Sequence, residues 1–289
     1  MATSAATLVQ RARRKLRDWP EEEQLGASIT SSVTSLTVAD SSLYQKNTLL
    51  EIDSEMILVR SVSNSTTVTV LRGARGTTAV SHASSSTVLR SPRFFTLEIL
   101  DALNAGIDAF FPQVWKRFVD TSLAPDGATY EFSMPSMPSP DTRPPIRVSR
   151  VEFRESSSEP YRRLRGWRTL RAPSSNKLVL DSALPAGTLR LMGAGPFPHL
   201  TATTDSLDAE FPVEAEDLLV RYACAMLLES GEMLRVRTDV GAVDNREQAT
   251  RVGASLSASR SVKSDVLVEL RERCLMPPIA TEMGSPYGS

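Results

Sequence analysis

The chain has 289 residues, a formal net charge of −1, 41% apolar residues and 23% charged residues. This is the composition of a globular protein with one large core or two modest cores, and it excludes a disordered chain. No stretch approaches the roughly 18 apolar residues of a membrane-spanning helix, and no apolar block follows the N-terminal arginines. We therefore expect no secretory signal and no membrane partner, and we expect the chain to stay in the cytoplasm in which it is made.

The first predicted element is a short basic helix within residues 1–20. Apolar residues recur at helical spacing from Leu8 to Leu16, and the pattern stops near Trp19-Pro20. The opposite face carries five basic residues, which form the solvated side of such a helix or a contact with an acidic partner. The run Glu21-Glu22-Glu23 follows the proline and reads as the acidic start of a further helix.

Residues 28–92 read as a small β-module made of short strands. Two apolar strands, Glu55–Val62 and Thr66–Leu71, flank a short polar break. A glycine-bearing corner, RGARGTT at residues 72–78, follows, and a run of small residues then leads to Val88-Leu89. The segment Leu50–Leu89 is the most informative part of the chain, because the remainder holds no enzyme motif.

The residues that could support catalysis or metal binding are few. The chain has two cysteines, Cys224 and Cys274, and two histidines, His82 and His199, so no Cys–His metal cluster can be assembled. Both cysteines lie in helical patterns and are expected to be reduced and buried. His82 lies between serines, which suggests nucleophilic catalysis, but no acidic partner is near it in sequence, and loop chemistry is the preferred explanation. With no phosphate-binding or calcium-loop motif either, we predict no enzyme and no cofactor.

A strong amphipathic helix is predicted next, followed by an extended segment, at residues 94–122. Thr96 can cap the helix, an apolar stripe runs from Leu97 to Phe111, and Pro112 should end it. From residue 125 to 198 the apolar period changes to two, with five candidate strands, and Lys177–Met192 reads as a hairpin. This pattern predicts an inserted antiparallel sandwich or barrel at residues 125–198, which we call the β-insert.

The C-terminal third is predicted to be helical. One helix runs from Pro212 to about Val236, and a second runs from about Asp244 to Cys274. The apolar stripe of the second helix is sparse, which is typical of a helix that faces solvent or completes its burial against another subunit. Residues 94–122 and 212–276 would thus form a helical core, and residues 277–289 a flexible tail.

Charge is unevenly distributed along the chain. Nine arginines occur between residues 143 and 171, whereas eight acidic residues and one arginine occur between 201 and 232. Phosphate binding by nucleic acid is one explanation of the basic region. We favour pairing of opposite charges between neighbouring subunits of a ring, and reversing Arg163 and Arg165 to Glu should then weaken assembly. The residues proposed for this pairing are Arg162, Arg163, Arg165, Arg168, Glu214, Glu216 and Asp217.

Three segments give the chain a recognisable family resemblance. These are the strand–turn–strand–RGxRGTTAxxH pattern of Leu50–Leu89, the helix, Phe-Pro and extended strand of Leu97–Ser122, and the Thr/Asp-rich loop leading into a helix at Leu200–Leu228. Together with the order of elements they resemble the head-to-tail adaptors, or connector proteins, of long-tailed bacteriophages. The glycine usual at a turn such as Asp53-Ser54-Glu55 is absent, and the β-insert is larger than the simplest adaptors need.

The resemblance implies an α+β protein in which an α-helical bundle, with three main helices and a short N-terminal one, carries the β-module and the β-insert. It implies a structural virion protein at the head–tail junction, in a ring of twelve copies that joins the portal protein to a downstream neck or tail protein. DNA would pass through the ring without sequence-specific binding. Docking to the portal is assigned to the C-terminal tail, at Pro277, Pro278, Ile279, Met283 and Tyr287.

Two alternatives remain open at this stage. A tail-completion or baseplate protein could use the same β-module at the far end of the virion. A carbohydrate-binding virion protein could instead use the β-insert, because many small sandwiches bind sugars, although fold alone does not establish this.

Overall fold

A computed structural model describes residues 2–135, 147–171, 176–239 and 246–273, without the side chains of 171, 231–239 and 246–255. Within these ranges the protein is a mixed α+β structure with four helices and several antiparallel sheets, so the expected α+β class is confirmed. The helices are α1 (Ala5–Leu16), α2 (Thr96–Phe110), α3 (Val213–Asp239) and α4 (Arg246–Arg273). None of the helices in these ranges is both long enough and apolar enough to cross a membrane.

Thirteen strands form three sheets within the described ranges. They are β1 (Glu21–Gln24), β2 (Ser35–Thr37), β3 (Leu49–Ile52), β4 (Glu55–Asn64), β5 (Thr67–Leu71), β6 (Thr87–Arg90), β7 (Lys116–Asp120), β8 (Glu131–Ser133), β9 (Arg147–Arg154), β10 (Arg162–Arg163), β11 (Trp167–Arg171), β12 (Asn176–Leu180) and β13 (Thr188–Gly195). The strand orders are β1-β6-β3-β4-β5-β2, β10-β9-β13-β7 and β11-β12-β8.

The four helices share one hydrophobic core. Helix α1 extends from the predicted Leu8–Leu16 back to Ala5, the first residue of its apolar stripe, because the hydroxyl of Ser4 accepts a hydrogen bond from the Thr7 amide and caps it. Helices α2 and α3 approach closely at Gly106, where a Cβ atom would lie 2.7 Å from Leu219 Cδ1. A glycine inside a helix costs about 1 kcal/mol relative to alanine, and here it permits that approach. Val266 and Leu270 bring α4 into the same core.

Thr96 does not cap α2 as predicted. It is the first helical residue, and the cap is formed instead by the Glu98 carboxylate, which accepts from the amide of Phe95. The Thr96 amide donates to Glu51 and its hydroxyl accepts from Arg13. Thr96 therefore connects the helix to the β-module.

The β-module begins earlier than residue 28, because Glu21–Gln24 is a strand. The prediction that these glutamates start a helix was wrong: they pair antiparallel with β6 at the edge of the six-stranded sheet. The sheet curls until its two edges meet, where the Gly26 amide donates to the Thr37 carbonyl at 2.9 Å. A short, charged strand suits this edge position because it discourages pairing with other chains.

The β-insert consists of two small sheets packed face to face. Its core contains Phe118, Val151 and Leu191 from the four-stranded sheet and Phe132 and Leu178 from the three-stranded sheet. The predicted hairpin of residues 177–192 was wrong, because β12 pairs with β11 and β8 whereas β13 pairs with β9 and β7. Strand β7, assigned from sequence to the helical part, belongs to the insert as an edge strand.

Candidate functional site

The RGxRGTTAxxH segment closes on a single buried carboxylate, that of Glu55. Its two oxygens accept hydrogen bonds from Arg72 Nε and Nη2, both at 2.7 Å, and from the amides of Gly73 and Val80. His82 Nε2 lies 2.9 Å from the same carboxylate. The side chain of Glu55 is fully buried, and those of Arg72 and His82 are 5% and 0% exposed. The spacing of the segment thus corresponds to one ion cluster, formed by Glu55, Arg72 and His82, which we call the Glu55 cluster.

The hydrogen bonds control the ionisation of Glu55. Burial alone would raise the pKa of its carboxyl group, but the bonds from Arg72, Gly73, His82 and Val80 outweigh burial and lower the pKa to about 2. Glu55 is therefore a fixed anion at neutral pH. Its charge compensates the buried guanidinium group of Arg72.

His82 lies between two carboxylates that the sequence did not place near it. Its Nδ1 is 2.7 Å from Asp53 Oδ2, and its Nε2 faces Glu55. Both ring nitrogens thus face carboxylates of the protein itself, and neither is left free to take a proton from a substrate. The acidic partners are 27 and 29 residues away in sequence, on the turn and strand facing His82, which is why local spacing missed them.

Backbone conformation explains the remaining residues of the motif. Gly73 has φ +61°, and a Cβ atom there would lie 2.8 Å from the Thr77 carbonyl oxygen, so glycine is required. The Thr77 hydroxyl donates to the Ala74 carbonyl and accepts from the Met56 amide, which fixes the corner against β4. At the β3–β4 turn, where a glycine was expected, Asp53 adopts φ 56°, a conformation that aspartate tolerates.

A second buried cluster joins the β-module to the helices. Arg13 of α1 donates to Asp18 at 3.0 Å, to Glu51 of β3 at 3.0 Å and to Thr96 of α2 at 3.2 Å. Arg13, Asp18, Glu51 and Thr96 are each at most 8% exposed. Burial raises the pKa of the Glu51 carboxyl group, and the hydrogen bonds from Thr96 and Arg13 oppose that rise. This junction cluster makes Arg13 a structural residue rather than part of a solvated basic face.

The outer face of the four-stranded sheet carries a concentration of arginines. Cross-strand partners share a face, and the register places Glu152 between Arg163 and Arg190, and Ala194 between Arg147 and Arg117. Val151 and Phe153 alternate to the opposite, buried face. We call this surface the arginine face: it consists of Arg117, Arg147, Arg150, Arg154, Arg163 and Arg190 around Glu152.

The side chains of the arginine face are held in place by Glu152 and Tyr161. Glu152, 2% exposed, accepts from Arg150 Nε at 2.7 Å and from Arg190 Nε at 2.6 Å. Arg154 and Arg190 lie over the ring of Tyr161, 4.5 and 4.0 Å from its centroid. The arrangement can bind an anion of extended shape with several guanidinium groups at once.

The sequence-predicted pairing residues lie on several surfaces. Arg162, Arg163, Arg165 and Arg168 are all exposed, but Arg163 lies on the arginine face whereas Arg168 lies on the three-stranded sheet. On the acidic side, Glu216 is buried and accepts from Arg11 and Thr3 of its own chain. Asp217 pairs with Lys15 but is 64% exposed, and Glu214 is exposed.

Other predicted positions have mixed outcomes. Cys224 is buried and reduced as expected, and burial raises the pKa of its thiol to about 11. His199, read from sequence as a loop residue, pairs with Asp108 at 3.0 Å. Cys274 and the predicted docking residues Pro277, Pro278, Ile279, Met283 and Tyr287 lie outside the described residues.

No protein-family model and no curated protein matches this sequence.

Proposed function

We propose that this protein is a structural virion protein, a head-to-tail adaptor that joins the portal to the neck or tail of a long-tailed bacteriophage. One observation carries the proposal: the segment Leu50–Leu89, on which the family resemblance rests, folds as a continuous part of one sheet. Within it, Glu55, Arg72 and His82 are buried and bond one another in the Glu55 cluster. A motif whose charged groups are buried and mutually paired supports an architectural role rather than a catalytic one.

The helices support the same proposal. Under the adaptor hypothesis, the helices form the bundle that carries the β-module and the β-insert. Such a bundle requires a shared core and close contact between helices, as α2 and α3 make at Gly106. Large apolar side chains also remain exposed on the β-module and beside it, including Trp19 at 71% and Leu43 at 54%. Exposed apolar groups are common singly, and they suit a subunit whose neighbours in a ring would cover them.

Location in the virion tests the proposal. Antibodies to this chain, used for immunogold electron microscopy of intact virions from the source phage, should place gold at the head–tail junction. Gold at the distal tail tip would favour a tail-completion or baseplate protein instead. An absence of gold from virions that are stained in parallel for a known tail protein would remove the structural virion role.

Portal docking is assigned to the C-terminal tail. Flexible termini commonly become ordered on binding, at an entropic cost that the new contacts must offset. We expect deletion of residues 277–289 to leave the protein folded, as judged by circular dichroism, but to yield heads without tails. Normal tailed particles from this deletion would contradict the assignment.

A further inference from the structure

We propose that the arginine face contacts the phosphate backbone of double-stranded DNA without reading its sequence. The inference rests on the proposed adaptor function, which implies a DNA channel, and it names the surface of this chain that lines that channel. It is carried by the charge, exposure and shape of the outer face of the four-stranded sheet.

Charge is the first step. The face presents six arginines. Of the two acidic residues in its strands, Asp120 is the register partner of Leu191 and so belongs to the opposite side of the sheet, whereas Glu152 lies beneath the guanidinium groups of Arg150 and Arg190. One carboxylate cannot neutralise this set, so the face keeps a surplus of positive charge. Guanidinium groups bind phosphate oxygens through paired N–H donors, and arginine is the preferred residue for that purpose.

Exposure is the second step. Arg117 on β7 and Arg147 on β9, the two strands that flank β13, are exposed, and the side chain of Arg150 is 46% exposed. Val119, which lies in the same cross-strand row as Arg150 and Met192, is 43% exposed. The face is therefore accessible at Arg117, Val119, Arg147 and Arg150, whereas Ala194 between Arg147 and Arg117 is buried. Its two most constrained arginines, Arg154 and Arg190, are ordered by Tyr161 before any ligand binds.

Shape argues for contact with the backbone only. Four strands at about 4.8 Å spacing span roughly 14 Å between the outer strands, and the side chains extend this further. The major groove is about 12 Å wide and admits a helix or a two-stranded ribbon. A four-stranded face cannot enter it, so its arginines reach phosphates and not base edges. Contacts of this kind permit DNA to slide.

The alternative occupant, the acidic surface of a second copy, is less well supported. Of the acidic residues proposed for pairing, Glu216 is buried against Arg11 and Asp217 already pairs with Lys15. Of the arginines proposed for pairing, Arg168 is exposed on the three-stranded sheet, away from the arginine face. The two kinds of contact can thus occupy different surfaces of one subunit.

The test is fluorescence anisotropy of the full-length protein with a labelled 20-base-pair duplex, titrated between 50 and 200 mM NaCl. With Arg117, Arg147 and Arg150 each contacting one phosphate, the logarithm of the binding constant should fall with a slope of about −2.7 against the logarithm of salt. Affinity should then drop about 40-fold across this range. Two duplexes of unrelated sequence should bind equally.

Matched variants identify the surface. Arg117→Ala/Arg147→Ala should reduce the slope to about −0.9 and weaken binding at 50 mM salt more than tenfold. Arg168→Ala/Lys177→Ala, on the three-stranded sheet, removes the same formal charge from the same β-insert and should leave the slope unchanged. Circular dichroism checks that both variants are folded.

Three outcomes would overturn the inference. These are equal losses in the two variants, salt-independent binding, and no binding by a folded wild-type protein. If the Arg117→Ala/Arg147→Ala protein also fails to reach the head–tail junction while DNA binding is absent, the face is a subunit contact instead. Because binding is measured on purified protein and location on virions, failure of this inference leaves the immunogold result standing, and the reverse also holds.

Discussion

At the scale of single residues, Glu55 is the acceptor on which the RGxRGTTAxxH segment converges. Its carboxylate accepts five hydrogen bonds from residues as far apart as Arg72 and His82. Replacing it with glutamine removes the charge that compensates Arg72 and presents an amide donor to a cluster made of donors. Loss of one partner from a buried pair costs about 3–5 kcal/mol. We expect Glu55→Gln to lower the free energy of unfolding by about that amount in urea titrations.

The matched control is Asp53→Asn. Asp53 also contacts His82, but its side chain is 61% exposed. Water compensates the loss of an exposed partner, so this change should cost less than about 1 kcal/mol. Comparable losses from the two substitutions would mean that burial of Glu55 is not what makes the cluster stabilising.

The lowered pKa of Glu55 makes a separate prediction about pH. The pKa of this carboxyl group falls from 4.5 to about 2 on folding, so its stabilising contribution is complete above about pH 4.5. That contribution is lost as the pH falls toward 2, and it amounts to about 3 kcal/mol. Urea titrations at pH 6, 4.5 and 3 should show the wild-type protein losing stability more steeply than Glu55→Gln. Parallel pH profiles would contradict the assignment.

At the scale of elements, the junction cluster determines whether the β-module and the helices unfold together. Arg13 bonds residues of both parts, Glu51 and Thr96, and it also bonds Asp18. Arg13→Leu leaves two buried carboxylates without their cation, at a cost of about 3–5 kcal/mol. Calorimetry should show one unfolding transition for the wild-type protein. For Arg13→Leu it should show a lower melting temperature and two transitions. The neighbouring Arg14→Leu, at an exposed position, should change stability by less than about 0.5 kcal/mol.

Sequence reasoning succeeded for elements whose partners are local and failed where partners are distant. Helices α2, α3 and α4 lie where their apolar periods and prolines place them, because a helix makes its hydrogen bonds within itself. The pairing of β12 and β13 was mispredicted because alternation identifies a strand but not its neighbour. The strand at Glu21–Gln24 was missed for the same reason: three glutamates form a strand only because β6 offers an edge.

The candidate sites show the same division. Arg72, Gly73 and His82 could be selected from their spacing, but their common partner Glu55 could not, because the cluster closes only when β4 pairs with β5. Four members of the arginine face, Arg147, Arg150, Arg154 and Arg163, fall in the basic region of residues 143–171, whereas Arg117 and Arg190 lie outside it. That its members share one face required the strand register, which a bulge between Met192 and Gly193 shifts by one residue.

At the scale of the whole molecule, the adaptor proposal requires that copies of the chain recognise one another. In a ring each subunit presents one surface to a different surface of its neighbour, so opposite charges can set the register. Arg165 and Arg168 are exposed, Arg168 on the three-stranded sheet away from the arginine face, and Glu214 and Asp217 at the start of α3 remain accessible. We therefore expect Arg165→Glu/Arg168→Glu to reduce the copies of this protein per virion several-fold, measured by quantitative mass spectrometry of purified particles.

A charge swap separates recognition from a general effect of altered charge. Adding Glu214→Arg/Asp217→Arg to the Arg165→Glu/Arg168→Glu protein reverses both sides of the contact and should restore the copy number, whereas the acidic-side change alone should lower it. Like charges facing one another across an interface repel, and only the swapped combination removes that repulsion from every interface of a closed ring. Loss of particles without rescue by the swap would mean that other surfaces join the subunits.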